Sequence, residues 1–325
     1  VDDLFEPRFP MLEHDDGGYE SYYLKAAHPT EPQAVWIRHT VHKRPGAEPT
    51  GSLWLTLFDR NSGPPLAIKQ TLEGPRRGEG ELLRLGNSRF GRGEASAHVE
   101  ADGREGGWDL RFDTDEQPLH HLQQGWMYSA PLPKTKLLTP LPSARFRGRV
   151  DLDGRVLALD GWRGMVGHNW GAEHAERWIW MHASGFEGEP EGTWLDLGIG
   201  RIKVGPLTVP WIANGALSLG GRRHALGGPG RRSKIQETPT GCRFELTGKG
   251  VRCKGSVSAP KDAFVGWVYA DPDGSEHHTV NCSVADIELE VSPGSRVLRG
   301  QGRAVYELGM RERSHGMEIQ PYPDG

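Results

Sequence analysis

Turn signals interrupt this chain at short, even intervals, and that spacing leaves no room for long helices. Asp16-Gly17-Gly18, Asn61-Ser62-Gly63-Pro64-Pro65, Asp102-Gly103, Asp153-Gly154, Pro272-Asp273-Gly274 and Ser292-Pro293-Gly294 all favour reversals. Between them lie runs rich in β-branched and aromatic residues, which predict strands over 34–41, 52–58, 177–183, 193–204, 264–270, 283–291 and 303–308. The clearest hairpin pairs 145–152 with 155–160 around Asp153-Gly154. No segment carries a sustained apolar stripe at a 3.6-residue period. Residues 173–180 could make two helical turns, but Trp178-Ile179-Trp180 favours a strand. The expected class is all-β, built as antiparallel barrels or sandwiches.

A chain of 325 residues is comfortable for two such units. The passage from Pro131 to Lys136, followed by Pro140 and Pro142, reads as the crossing between them. The division is expected near the mid-chain hairpin, giving units 1–160 and 161–325, although no sequence repeat aligns the halves. Basic and acidic residues number 39 and 43, so the charges nearly cancel. A polyanion binder working through net charge is therefore excluded, and nucleic acid is not an expected partner. Arg76-Arg77, Arg222-Arg223-His224 and Arg231-Arg232-Ser233-Lys234 read as solvated loop tips. Neither a nucleotide-binding glycine fingerprint nor a nucleophile elbow is present.

Cys242, Cys253 and Cys282 form no CxxC pair and read as buried free thiols, which fits a cytoplasmic setting. No apolar run is long enough to span a membrane as a helix. The acidic start Val1-Asp2-Asp3-Leu4 is unlike a signal peptide.

One segment stands apart. Residues 161–186 hold four of the eleven tryptophans, three histidines and two glutamates. On a strand from Arg177, Trp178, Trp180, His182 and Ser184 share one face, and Ile179, Met181 and Ala183 share the other. The first face suits the wall of a ligand cavity; the second is a packing face. Downstream, Trp194 and Asp196 share a face within an apolar run. A carboxylate there needs a partner, such as Arg201 or a histidine of the preceding strand. The spacing of His168, His174 and His182 matches no metal-ligand pattern, so no metal is expected. His120-His121 and His277-His278 read as loop or surface pairs whose side chains diverge.

Gly167-His168-Asn169-Trp170-Gly171, followed by Arg177-Trp178-Ile179-Trp180, resembles the mid-chain signature of the carotenoid 1,2-hydratase and AttH-like superfamily. Tocopherol cyclases and lipocalin-like Diels–Alderases are similar in pattern. The resemblance implies two tandem lipocalin-like antiparallel β-barrels. It also implies protonation, hydration or cyclisation of a hydrophobic isoprenoid- or polyketide-derived substrate, with no organic cofactor. Hydratase-type members tend to carry an acid before the His-Asn-Trp turn, where this chain has Gly167; the resemblance then implies a proton donor that is either absent or relocated to Glu173, Glu176 or Asp196. On this reading His168, Asn169, Glu173, His174 and Asp196 are the catalytic candidates. Trp170, Trp178, Trp180, His182 and Trp194 are the substrate wall. A non-catalytic carrier would use the same aromatic pocket, and a glycan-active enzyme would need two carboxylates across a polar cleft. The oligomeric state is not legible.

Overall fold

A computed structural model describes residues 3–204 and 207–322. Val1 and Asp2 of the acidic start lie outside the described residues. The first unit contains β1 (Gly18–Ala27), β2 (Gln33–Lys43), β3 (Thr50–Asp59), β4 (Leu66–Glu73), β5 (Glu81–Leu85), β6 (Ser88–Gly91), β7 (Glu94–Ala101), β8 (Arg104–Asp113), β9 (Leu119–His120), β10 (Thr135–Leu152), β11 (Arg155–Ala158) and β12 (Trp162–Gly171). The second contains β13 (Arg177–Ser184), β14 (Trp194–Arg201), β15 (Lys203–Val204), β16 (Leu207–Thr208), β17 (Ile212–Leu219), β18 (Arg222–Gly227), β19 (Ser233–Thr238), β20 (Gly241–Gly248), β21 (Val251–Ser258), β22 (Val265–Ala270), β23 (Glu276–Ser292) and β24 (Arg296–Met310). The described residues contain short 3-10 turns but no α-helix, hence no helix long and apolar enough to cross a membrane.

The strands form two lipocalin-like antiparallel β-barrels. The first sheet runs β4-β3-β2-β1-β12-β10-β8-β7-β6-β5, and the second β18-β17-β14-β13-β24-β23-β21-β20-β19. In each, the first strand pairs with the last, β1 with β12 and β13 with β24. Each also has one long bulged strand, β10 or β23, that takes a short extra partner, β9 or β22. The two units thus repeat one topology although their sequences do not align. A backbone bridge between Leu226 of β18 and Gly248 of β20 draws the second barrel closed.

Two expectations are corrected. The proline passage is not the crossing. Pro140 and Pro142 lie within β10, where its pairing with β12 shifts register between Leu138 and Leu141 and again between Leu141 and Ala144. A proline lacks an N–H, and a bulge is where a strand can omit that bond without loss. The sheets change between Gly171 and Arg177, beyond the 160/161 division read from the sequence, because β12 closes the first barrel. The Asp153-Gly154 hairpin forms as expected, with both residues at positive φ, 50° and 79°. All three cysteines are free and buried, and burial pushes their thiols up to about 12.

Closure brings β1 and β12 very close. A Cβ on Gly164 would sit 1.7 Å from the Lys25 carbonyl oxygen, which belongs to backbone and cannot move aside cheaply. Gly164→Ala is therefore expected to cost about 1–3 kcal/mol, the usual range for overpacking. Gly125→Ala, with nothing within 4 Å of the added methyl, serves as the control. Urea midpoints of the two variants check this; equal midpoints would refute it.

Candidate active site

Strand alternation splits the β1–β12 pair into two faces. Tyr22 and His168 point into the first barrel, where Tyr22 stacks on Phe90 and His168. Tyr19, Tyr23 and Asn169 point toward the second barrel, and the edge of Trp180 meets Tyr23 at 5.1 Å. Between this second face and the second barrel lies a cavity of about 650 Å³. One wall carries Tyr23, Trp36, Arg38, Leu137 and Asn169; the other carries His174, Trp178, Ile179, Trp180, Tyr269 and Glu307. Gly167 explains itself here, because a Cβ at that position would lie 2.2 Å from Cζ of Tyr23. The Tyr23 ring occupies the space that an acidic side chain would need.

His174 is the best-placed titratable group on the wall. Its backbone N–H and its Nδ1 both reach Asp271 Oδ1 at 2.7 Å. His277 Nε2 reaches the other carboxylate oxygen at 3.1 Å. A carboxylate accepts, so His174 Nδ1 carries the hydrogen and Nε2 is left as the basic atom. That Nε2 is buried and has no partner. Burial lowers the His174 pKa, and the attraction of Asp271 offsets this only in part. Burial alone would raise the Asp271 pKa, but the bonds from His174 and His277 outweigh it and hold the carboxyl well below its usual range. The His174 ring stacks on Tyr19 at 4.0 Å and on Trp178 at 5.2 Å, which fixes its plane. An oriented neutral imidazole with one bare nitrogen in an apolar cavity can take up and return a proton.

Glu307 faces the same space. It accepts bonds from Trp178 Nε1 at 3.0 Å, Asn281 Nδ2 at 3.0 Å and the Tyr269 hydroxyl at 3.3 Å. Across the cavity Asn169 lines the wall, and its Oδ1 is buried without a partner.

Asp196 lies behind the wall, fully buried. Its partner is neither Arg201 nor, by direct bond, His182. Thr139 donates to its Oδ2 at 2.6 Å, and His121 Nε2 stands 3.6 Å from the same oxygen. His121 also contacts Thr139 Oγ1 at 3.1 Å and the Asn214 carbonyl at 3.2 Å. A carbonyl only accepts, so His121 Nδ1 donates to Asn214. Burial raises the Asp196 pKa, but the nearby His121 outweighs it and the net direction is down. His182 is the cross-strand neighbour of Asp196; it bonds the Pro142 carbonyl at 3.1 Å, and burial pushes it down to about 4.

The remaining candidates scatter. His168 is buried inside the first barrel, bonded to Glu20 Oε1 at 2.7 Å and to the Leu4 carbonyl at 3.0 Å. Glu20 in turn accepts the backbone N–H groups of Arg8 and Phe9, so the pair pins the N-terminal segment. Trp170 stacks on His168, outside the cavity. Trp194 is buried with Leu119 and Ala216, also outside it. Glu173 lines the cavity mouth in an ion pair with Lys134. Glu176 lines it too and pairs with Arg311 at 3.1 Å. The two adjacent histidine pairs are not both surface residues. The strand directs His120 and His278 outward, and it buries His121 and His277. Among the described residues no group of three or more His, Cys, Asp or Glu is arranged to hold a metal ion. Sequence reasoning missed Arg38, His121, Asp271 and Glu307. The alternation Trp36, Arg38, Thr40 was the one available signal, since it puts a cation on the face of a bulky aromatic.

No protein-family model matches the chain. An uncharacterised Mycobacterium tuberculosis protein, found in two strains, is 26% identical over 310 residues, covering 91% of this chain and 87% of its own length. Among solved structures, CghA is similar with a TM-score of 0.60 at 12% identity, over 93% of this chain and 90% of that one. Kievitone hydratase from Nectria haematococca gives 0.59 at 11%, over 98% and 93%. A Nitrosomonas europaea protein assigned as AttH gives 0.56 at 13%, over 94% and 97%. At such identities the likeness is one of fold, and that fold includes a hydratase.

The buried trio sets an expectation for stability. Asp196→Ala leaves the buried Thr139 hydroxyl without its acceptor beside His121, at a cost of about 1–3 kcal/mol. Thr139→Val should cost about 1–3 kcal/mol, and the two losses should not add, because the residues share one network. A double-mutant cycle by urea unfolding measures this; additive losses would show that the trio is not coupled.

Proposed function

We propose that the chain is an enzyme that performs acid–base chemistry on an apolar small molecule in the cleft between its barrels, without an organic cofactor. The substrate class is isoprenoid- or polyketide-derived, and the reaction is a hydration, cyclisation or isomerisation. One observation carries this reading: His174 belongs to the cavity wall and has a buried, unpartnered Nε2, while Asp271 fixes its tautomer. A carrier needs the aromatic wall but has no use for an oriented base.

In this reaction the neutral His174 takes a proton from the substrate or from a water added to it, and returns one later in the cycle. Nothing is oxidised or reduced, and the enzyme ends with the protons it started with. Asp271 stabilises the imidazolium that forms in between. Trp36, Trp178 and Trp180 exclude water, and their ring faces favour positive charge developing on the substrate by about 0.5–2 kcal/mol per contact. The hydratase among the structural neighbours supports such chemistry on this fold. Conversion of the substrate is open to direct test.

Terpenoid and polyketide panels incubated with the protein in deuterated water should give products of changed mass or retention. His174→Gln should slow conversion by about 10²-fold or more while the melting transition stays in place. The active form is the neutral imidazole, whose pKa is depressed by burial, so the rate should rise with pH and level off below the ordinary histidine value of about 6.5. Ligands that bind and come back unchanged from the wild-type protein would favour the carrier.

A further inference from the structure

We infer that the ligand of the cleft bears an anionic oxygen group, a carboxylate or an acidic enol, and that Arg38 is the residue that holds it. The inference rests on reading the cleft as a small-molecule site, and it adds the chemistry of one end of that molecule.

Arg38 is only 6% exposed and lines the cavity. Among the described residues no carboxylate lies within 4.0 Å of its guanidinium, although the chain forms many ion pairs elsewhere. The two carboxylates across the cavity have donors of their own. Asp271 is held by His174 and His277, and Glu307 by Trp178, Tyr269 and Asn281. What Arg38 does have is one neutral acceptor and two rings. Its Nε and Nη2 both reach Ser21 Oγ, at 3.0 and 2.7 Å. Its Cζ lies 4.2 Å from the centre of Tyr269 and 5.4 Å from that of Trp54.

A guanidinium has five N–H donors in a fixed fork, and the Ser21 hydroxyl occupies two of them. A buried charge without a counter-ion is costly, and ring faces recover only part of that cost. A solely structural arginine would be expected to have a carboxylate or several carbonyls around it, as Lys43 has the carbonyls of Glu13, His14 and Asp16. Arg38 instead holds its plane by stacking and by Ser21, with its remaining donors open to the cavity. That geometry suits bidentate capture of a planar oxyanion. The apolar walls around it accept the hydrocarbon body of the same molecule.

The test uses two dyes with one ring system: 8-anilinonaphthalene-1-sulfonate, which is anionic, and N-phenyl-1-naphthylamine, which is neutral. Both should bind and compete for one site, with the anion the tighter. Arg38→Met should weaken the anion by about tenfold or more, the scale of a lost hydrogen bond to a charged group, and leave the neutral dye within about twofold. Arg38→Lys, which keeps the charge but loses the fork, should fall between. If Arg38→Met does not fold, the wild-type preference and the Arg38→Lys variant decide the matter. Competing dyes whose affinity ratio is the same in wild type and variants would overturn the anion anchor while leaving a ligand cleft intact. Failure of both dyes to bind the wild-type protein would remove the cleft reading itself.

Discussion

Trp36 and Trp54 of the first barrel meet Trp267 of the second with ring centres 4.9 to 6.3 Å apart, and Tyr269 adds an edge to Trp54 at 5.5 Å. This aromatic seam joins the barrels, and the cavity is the part of the seam that remains unfilled. Each ring buries a large apolar area, at roughly 25 cal/mol per Å², so separating the barrels would expose several of the largest side chains in the protein. The walls of the cleft owe their relative placement to that contact. A small-molecule site at a domain boundary needs such rigidity if its polar groups are to stay aligned.

Polar groups along the seam fall into two kinds. Most are satisfied by protein. Lys25, fully buried, donates to the Arg303 carbonyl at 2.6 Å, and burial pushes its pKa down to about 7. Asp271 and Glu307 each gather several donors, and Asp196 accepts from Thr139. Others have no protein partner, among them His174 Nε2, Asn169 Oδ1, Asp196 Oδ1 and the indole nitrogens of Trp36, Trp180 and Trp267. Trp36, Asn169, His174 and Trp180 line the cavity together with Arg38. A ligand in that space could supply partners that the protein does not.

How far the sequence revealed that site can be judged residue by residue. The turn signals and the alternation of residues 177–183 placed Trp178 and Trp180 on one face, and both line the cavity. His174 and Asn169 were read from the same dense segment and are on the wall. His168 sits one residue from Asn169 and therefore on the opposite face of β12, inside the barrel with Glu20. Local reading could not say which face was which, because both strands of the β1–β12 pair are buried on both sides. An alternation of polar and apolar residues identifies the core only when one face meets water.

What the sequence determined by itself is local: antiparallel strands, their turns, the Asp153-Gly154 hairpin and an aromatic-rich strand with titratable neighbours. Those follow from φ/ψ preferences and a two-residue period, which act over a few residues. Tertiary structure decided the pairings. His174 finds Asp271 97 residues away, and Thr139 finds Asp196 57 residues away. The partner of a buried charge is set by which strands lie side by side and how two barrels dock. Those contacts arise from the burial of the whole seam, and no short stretch of chain encodes them.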